Sequence, residues 1–232
     1  METVHCIGDS HVSVFVGKDI ISSGLPCPED CHPPFRTYRI GPYLAYSLGH
    51  PGHIAITLIR DVLGRVPVSD PIMLSFGEID CRVHIVMQSK IQGKSIEELS
   101  REVADRYAGL VNKLISEGRQ VFLYAPPPTC NHFNPEAAVS KENEYPHIGT
   151  TQERNRATYA LTQRLKEHFP FGIVVDVFSR LVNENMTSKG EYFMDGIHLS
   201  QKALPIILEE FDRVMRESIQ GTNDYILSLH PY

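Results

Sequence analysis

What the chain lacks narrows its reading first. No stretch approaches the ~18 consecutive apolar residues that cross a bilayer as a helix, so no membrane span is expected. The N-terminus, Met-Glu-Thr-Val-His-Cys, has neither the basic region nor the apolar run of an export signal, and a soluble, cytoplasmic chain is expected. Positive charge is also short: 22 Lys and Arg stand against 28 Asp and Glu, a formal charge of −6. That sign opposes a phosphate-binding surface, so nucleic acid is not an expected partner. The five cysteines, Cys6, Cys27, Cys31, Cys81 and Cys130, cannot all pair within one chain, which favours a reducing compartment. Paired Cys-x-x-Cys spacing of a structural zinc site is absent. Cys27 and Cys31, beside His32 and with Cys130 and His132 as distant candidates, therefore read as free thiols in a loop, and neither a metal nor an organic cofactor is expected.

A core is well supplied. The 232 residues are 42% hydrophobic and 22% charged, the range of an ordinary globular protein. With no internal repeat and no boundary in composition, residues 1–232 read as a single domain. Short β-rich apolar runs alternate with stretches at helical period, the pattern of a parallel sheet covered by helices on both faces. Strands are predicted over Thr3–Ile7, Phe35–Ile40, Pro71–Phe76, Gln120–Ala125 and Gly172–Val177. Helices are predicted from Pro42 through Leu48, over Ile54–Leu63, Ser95–Glu117, Thr151–His168 and Ser200–Ile219. The clearest is the third, where Ser95 and Glu98 form a capping-box pattern and Ile96, Leu99, Val103, Tyr107, Leu110 and Leu114 share one face. The polar stretch from Pro126 to Thr150 reads as an insertion that bears on substrate choice. The tail from Gly221 to Tyr232 is apolar enough to pack on the body or to join two copies of the chain.

In such sheets ligands sit at the carboxyl ends of the strands, near the point where strand order reverses. Gly8-Asp9-Ser10-His11 directly follows the first predicted strand, so Ser10 lies where a nucleophile would be useful. A serine hydroxyl is a weak nucleophile at neutral pH and needs a base to take its proton, together with donors for the oxyanion formed on attack. Asp195-Gly196-Ile197-His198, just before the last helix, offers both partners. An Asp three residues before a His can orient the ring through Nδ1 and leave Nε2 for the serine. The alternative for the same residues is a polar cap on a strand-to-helix turn and a surface histidine at a helix start.

These blocks resemble the SGNH, or GDSL-like, hydrolase family. Gly8-Asp9-Ser10 matches its nucleophile block, Gly41 its isolated glycine, and Asp195-x-x-His198 its acid and base. Where the family has Gly-x-Asn-Asp after the central strand, this chain has Gly77-Glu78-Ile79-Asp80, with Ile79 in the place of an asparagine. The resemblance implies a flavodoxin-like, mostly parallel five-stranded sheet in a three-layer α/β/α sandwich. It also implies Ser10 as nucleophile, His198 as general base, Asp195 as its orienter, and the amides of Ser10 and Gly41 as oxyanion donors. Ile79 has no side-chain donor. Arg82 is the candidate substitute, with pairing to Glu78 or Asp80 as the alternative; His84 is weaker, His11 is a pocket candidate, and Glu78 is read as loop-stabilising.

The function implied is hydrolysis of an acyl or acetyl ester of a small molecule or carbohydrate through an acyl-enzyme on Ser10. The same triad also serves acyltransferases, and a degenerate binding protein would keep the pattern without turnover.

Overall fold

The computed structural model describes residues 3–22, 31–130, 145–170 and 172–229, with only the backbone path described from 219 onward. Five strands form one parallel sheet: β1 (Val4–Gly8), β2 (Phe35–Arg39), β3 (Ile72–Ser75), β4 (Val121–Tyr124) and β5 (Val174–Val175). Their order is β2-β1-β3-β4-β5. The chain steps outward from β1 to β2 and then crosses back past β1 to β3, so strand order reverses between β1 and β3.

Alternation along the strands divides the core into two faces. Ile7, Leu74 and Leu123 point to one side and pack with Ile59, Tyr107 and Leu161 from α1 (Ile54–Leu63), α3 (Ile96–Ser116) and α4 (Thr151–His168). Cys6, Met73 and Phe122 point to the other and meet Phe15, Ile207 and Phe211, the last two from α6 (Leu204–Leu229). The result is the expected three-layer α/β/α sandwich. Three strands, β1, β3 and β4, are buried along their whole length, as central parallel strands must be. The capping box of α3 forms as its sequence predicts: the Glu98 amide donates to Ser95 Oγ at 3.2 Å and the Ser95 amide to Glu98 Oε2 at 2.8 Å. A second box, Thr150 with Glu153, starts α4.

Several expectations are corrected. The helix predicted from Pro42 to Leu48 is a single 3-10 turn, Tyr46–Gly49. The carboxylate of Asp80 holds the amides of Ala45 and Tyr46 at 2.8 and 3.1 Å, and only one turn fits before Gly49 and Pro51. Conversely, the chain after Gly77 is helical without having been predicted so: a π-helical turn, Asp80–His84, runs into α2 (Ile85–Gln92). A short α5 (Phe178–Leu181) was also not foreseen, and α6 extends past Ile219 to Leu229. Cys31 is disulfide-bonded, so free thiols are not what that position carries; Cys27 lies outside the described residues. Cys6, Cys81 and Cys130 are buried and not disulfide-bonded. No helix among the described residues is long and apolar enough to cross a membrane. Of the polar stretch from Pro126 to Thr150, residues 131–144 lie outside the described residues, as do the side chains of the apolar tail.

Candidate active site

The first element of the site is made possible by the absence of a side chain. Gly8 is the last residue of β1 and faces Ser75 of β3 in register. A Cβ on Gly8 would lie 2.2 Å from the Ser75 carbonyl oxygen. Immediately beyond, Asp9 caps a 3-10 helix, Ser10–Val16, by accepting the His11 amide at 2.9 Å. Ser10 is thereby held at the carboxyl end of the sheet, beside the reversal between β1 and β3.

The second element comes from the other end of the chain. Phe193 and Leu199 form an antiparallel bridge, and the Met194 amide donates to the His198 carbonyl at 3.0 Å. The enclosed turn is organised by Asp195, whose Oδ1 accepts the amides of Ile197 and His198 at 2.7 and 2.5 Å. Its Oδ2 lies 2.8 Å from His198 Nδ1, and His198 Nε2 lies 2.8 Å from Ser10 Oγ. Partial burial pushes the Asp195 carboxyl up, but the His198 ring and the two amides outweigh it and hold the group down at about 2. Asp195 is therefore ionised at neutral pH, which fixes the Nδ1–H tautomer and leaves Nε2 as an acceptor for the serine proton. The structure thus brings together three predicted residues that are 188 positions apart at their extremes.

Gly41 is the third predicted contributor. Its φ of +133° is a conformation that side chains rarely adopt, and a Cβ there would meet the Tyr43 ring at 2.8 Å. The backbone amides of Ser10 and Gly41 donate to no acceptor among the described residues. Gly77 serves packing: at φ +111°, it lets the chain leaving β3 pass Pro126, whose Cγ would lie 2.9 Å from an added Cβ.

Arg82 takes the loop-shaping alternative. Its Nε donates to Glu78 Oε1 at 2.7 Å and its Nη1 to the carbonyl of Tyr145. Ile148 closes the contact by donating its amide to the Arg82 carbonyl at 3.1 Å. Glu78 also faces His11, with Oε2 and Nε2 3.3 Å apart. Burial alone would raise the Glu78 carboxyl, but Arg82 and His11 dominate and hold it at about 2. His11 is buried and its ring stacks on that of His198, with centroids 5.0 Å apart and planes at 30°. Ile79 is buried and supplies no polar group. His84 is half-buried and borders a cavity with Leu44, Tyr46 and Ile85.

Two supporting residues were not foreseen. Asp80 clamps the segment that follows Gly41, and burial pushes its carboxyl up to about 7. Its sequence signal was the last position of the Gly77-Glu78-Ile79-Asp80 block, read only as a possible partner of Arg82. His147 sets its Nε2 3.3 Å from the Gly196 carbonyl, inside the turn that carries Asp195 and His198. Nothing in its local sequence marks it.

No family model matches the chain, and no curated protein matches it by sequence. Similar solved structures include a GDSL-like lipase from Bacteroides thetaiotaomicron, 12% identical with a TM-score of 0.54, covering 95% of this chain and 89% of that one. An acetyl xylan esterase is 15% identical with a TM-score of 0.50, over 90% of this chain and 97% of the other. The OSK domain of Drosophila Oskar is 11% identical with a TM-score of 0.51, over 90% and 87%. At such identities the likeness is one of fold, and the chain has an SGNH-like fold.

Proposed function

We propose that the protein is a serine esterase acting on a small or carbohydrate-borne acyl ester. The observation that carries this reading is the continuous chain Ser10 Oγ, His198 Nε2, His198 Nδ1, Asp195 Oδ2, with 2.8 Å at each junction. In the first half-reaction Ser10 Oγ attacks the acyl carbon as its proton passes to His198 Nε2. The negative charge moves to the carbonyl oxygen, where the free amides of Ser10 and Gly41 are the available donors. Collapse expels the alcohol, which takes the proton back from His198, and leaves an acyl group on Ser10. Water, activated by the same imidazole, then hydrolyses that ester. Asp195 stays ionised throughout, stabilising the imidazolium rather than receiving its proton.

The test is to incubate the purified protein with p-nitrophenyl acetate and with a fluorophosphonate probe, alongside Ser10→Ala. Hydrolysis and covalent labelling of the unmodified protein, both lost in the variant, are expected. Absence of labelling at Ser10 in the unmodified protein would refute the proposal.

A further inference from the structure

Beside the Asp195–His198 pair stands a second carboxylate–imidazole pair that the reaction just described does not use. Glu78 and His11 are both buried, 3.3 Å apart, and the His11 ring lies against the face of His198. We propose that His11 is a positioning residue: it is held as an imidazolium by Glu78, fixes the plane of the His198 ring, and keeps that ring unprotonated, and so able to act as a base, to lower pH. This rests on the esterase reading for its catalytic meaning but makes its own prediction about two imidazoles.

Charged and polar groups face His198 from several elements. On its own turn Asp195 favours the imidazolium. From the turn after β1 come the neutral Ser10, the buried carboxylate of Asp9 and the His11 ring. Behind His11 lie Glu78 and Arg82 from the chain after β3, and His147 reaches the same turn through the Gly196 carbonyl. Arg82 is what makes the arrangement one-sided. By donating from Nε to Glu78 Oε1 it keeps that carboxylate ionised, so the proton between Glu78 and His11 belongs to the histidine. Burial pulls the His11 imidazolium down, but Asp9 and Glu78 prevail and its affinity for the proton is raised. A second positive charge on His198 would then sit 5.0 Å from the first. At that distance two like charges repel, and more strongly where protein rather than water lies between them. The opposing pulls of Asp195 and His11 separate two jobs: one fixes the tautomer, the other limits premature protonation.

The experiment compares the unmodified protein with His11→Phe, which keeps an aromatic ring against His198 and removes the charge. The acid limb of kcat/KM for p-nitrophenyl acetate is expected to move up by half a pH unit or more in His11→Phe. An unmoved limb would overturn the proposal. NMR titration of the imidazoles in the unmodified protein supplies a readout independent of folding of the variant and of any activity. His11 is expected to remain protonated at pH values where His198 is neutral; a neutral His11 at pH 6 would overturn the assignment. Loss of Ser10 labelling with the NMR result intact would dispose of the esterase reading alone.

Discussion

Replacing Gly8 by alanine tests whether the glycine of the Gly-Asp-Ser block is there for space. Its backbone is not in the left-handed region, so conformational freedom is not the reason. The new Cβ would lie 2.2 Å from the Ser75 carbonyl oxygen, 2.9 Å from Ser75 Cβ and 3.0 Å from Ser75 C, all on the neighbouring strand. An ordinary contact needs about 1 Å more at the carbonyl, and no flexible side-chain end is present to give way. The strands β1 and β3 must part, and the same carbonyl accepts the Asp9 amide at 3.2 Å, so that bond is strained as well. Overpacking of a buried site costs about 1–3 kcal/mol and a lost buried hydrogen bond about 1 kcal/mol more. The sum, about 2–4 kcal/mol, corresponds to a fall in Tm of roughly 5–15 °C for a domain of this length. The displacement also reaches Ser10, two residues on, and a misplacement of ~1 Å at a reacting group can cost about 10²-fold in rate. Thermal unfolding gives the first number, and the rate of fluorophosphonate labelling at a temperature where the variant is fully folded gives the second. A Gly8→Ala protein within about 2 °C of the original Tm and within twofold of its labelling rate would refute the steric argument.

Two further predictions concern the buried charges. Arg82→Met should destabilise the fold by roughly 3–5 kcal/mol in urea unfolding at pH 7, because the Glu78 carboxyl would be left buried with its main partner gone; a loss below about 1 kcal/mol would show that the pair does not hold the loop. The pH dependence of stability should have two opposed parts. Glu78 and Asp195 are held at about 2, below their unfolded values, so their stabilisation is full above about pH 4.5 and is lost as pH falls toward 2. Asp80 is raised to about 7, so its contribution is present below about pH 4 and is lost as pH rises through 7. Urea midpoints measured from pH 3 to 8 should therefore show Asp80→Asn gaining on the unmodified protein as pH rises from 4 to 8, and a constant difference between the two would contradict the burial of that carboxyl.

Much of the architecture was legible because burial and periodicity coincide in it. The strands β1, β3 and β4 are apolar runs ended by Gly8, Gly77 and Pro126, and α3 announces itself through both its cap and its stripe. The helical chain after Gly77 escaped notice because it has no stripe to read. Ile85 and Val86 are adjacent and buried, whereas Ile91 is 69% exposed. The helix wrongly expected after Pro42 had suitable residues, but its amides were claimed by Asp80 from 34 and 35 positions away. The meeting of Ser10, His198 and Asp195 was readable from two short motifs, because Asp195 and His198 are joined by one turn and Ser10 follows a strand end. The stacking of His11 on His198 was not readable, since it depends on how two loops meet.

The third block shows how a change of residue type can alter the way a site is held. Ile79 stands where the family resemblance places a donor asparagine, and it is buried without polar function. Its neighbours reach toward the two segments that contain Ser10 and Gly41. Asp80 binds the amides of Ala45 and Tyr46 and so fixes the chain that leaves Gly41. Glu78 faces His11 and so braces the residue next to Ser10. Arg82 then holds Glu78 ionised and ties this block to the chain at Tyr145 and Ile148. Rigid support matters more when donors are few, because a preorganised amide loses less of its stabilisation to reorganisation than a mobile one. On the proposed esterase reading, a block that contributes no side-chain donor thus still serves the oxyanion donors, through the precision with which it holds the segments of Gly41 and Ser10.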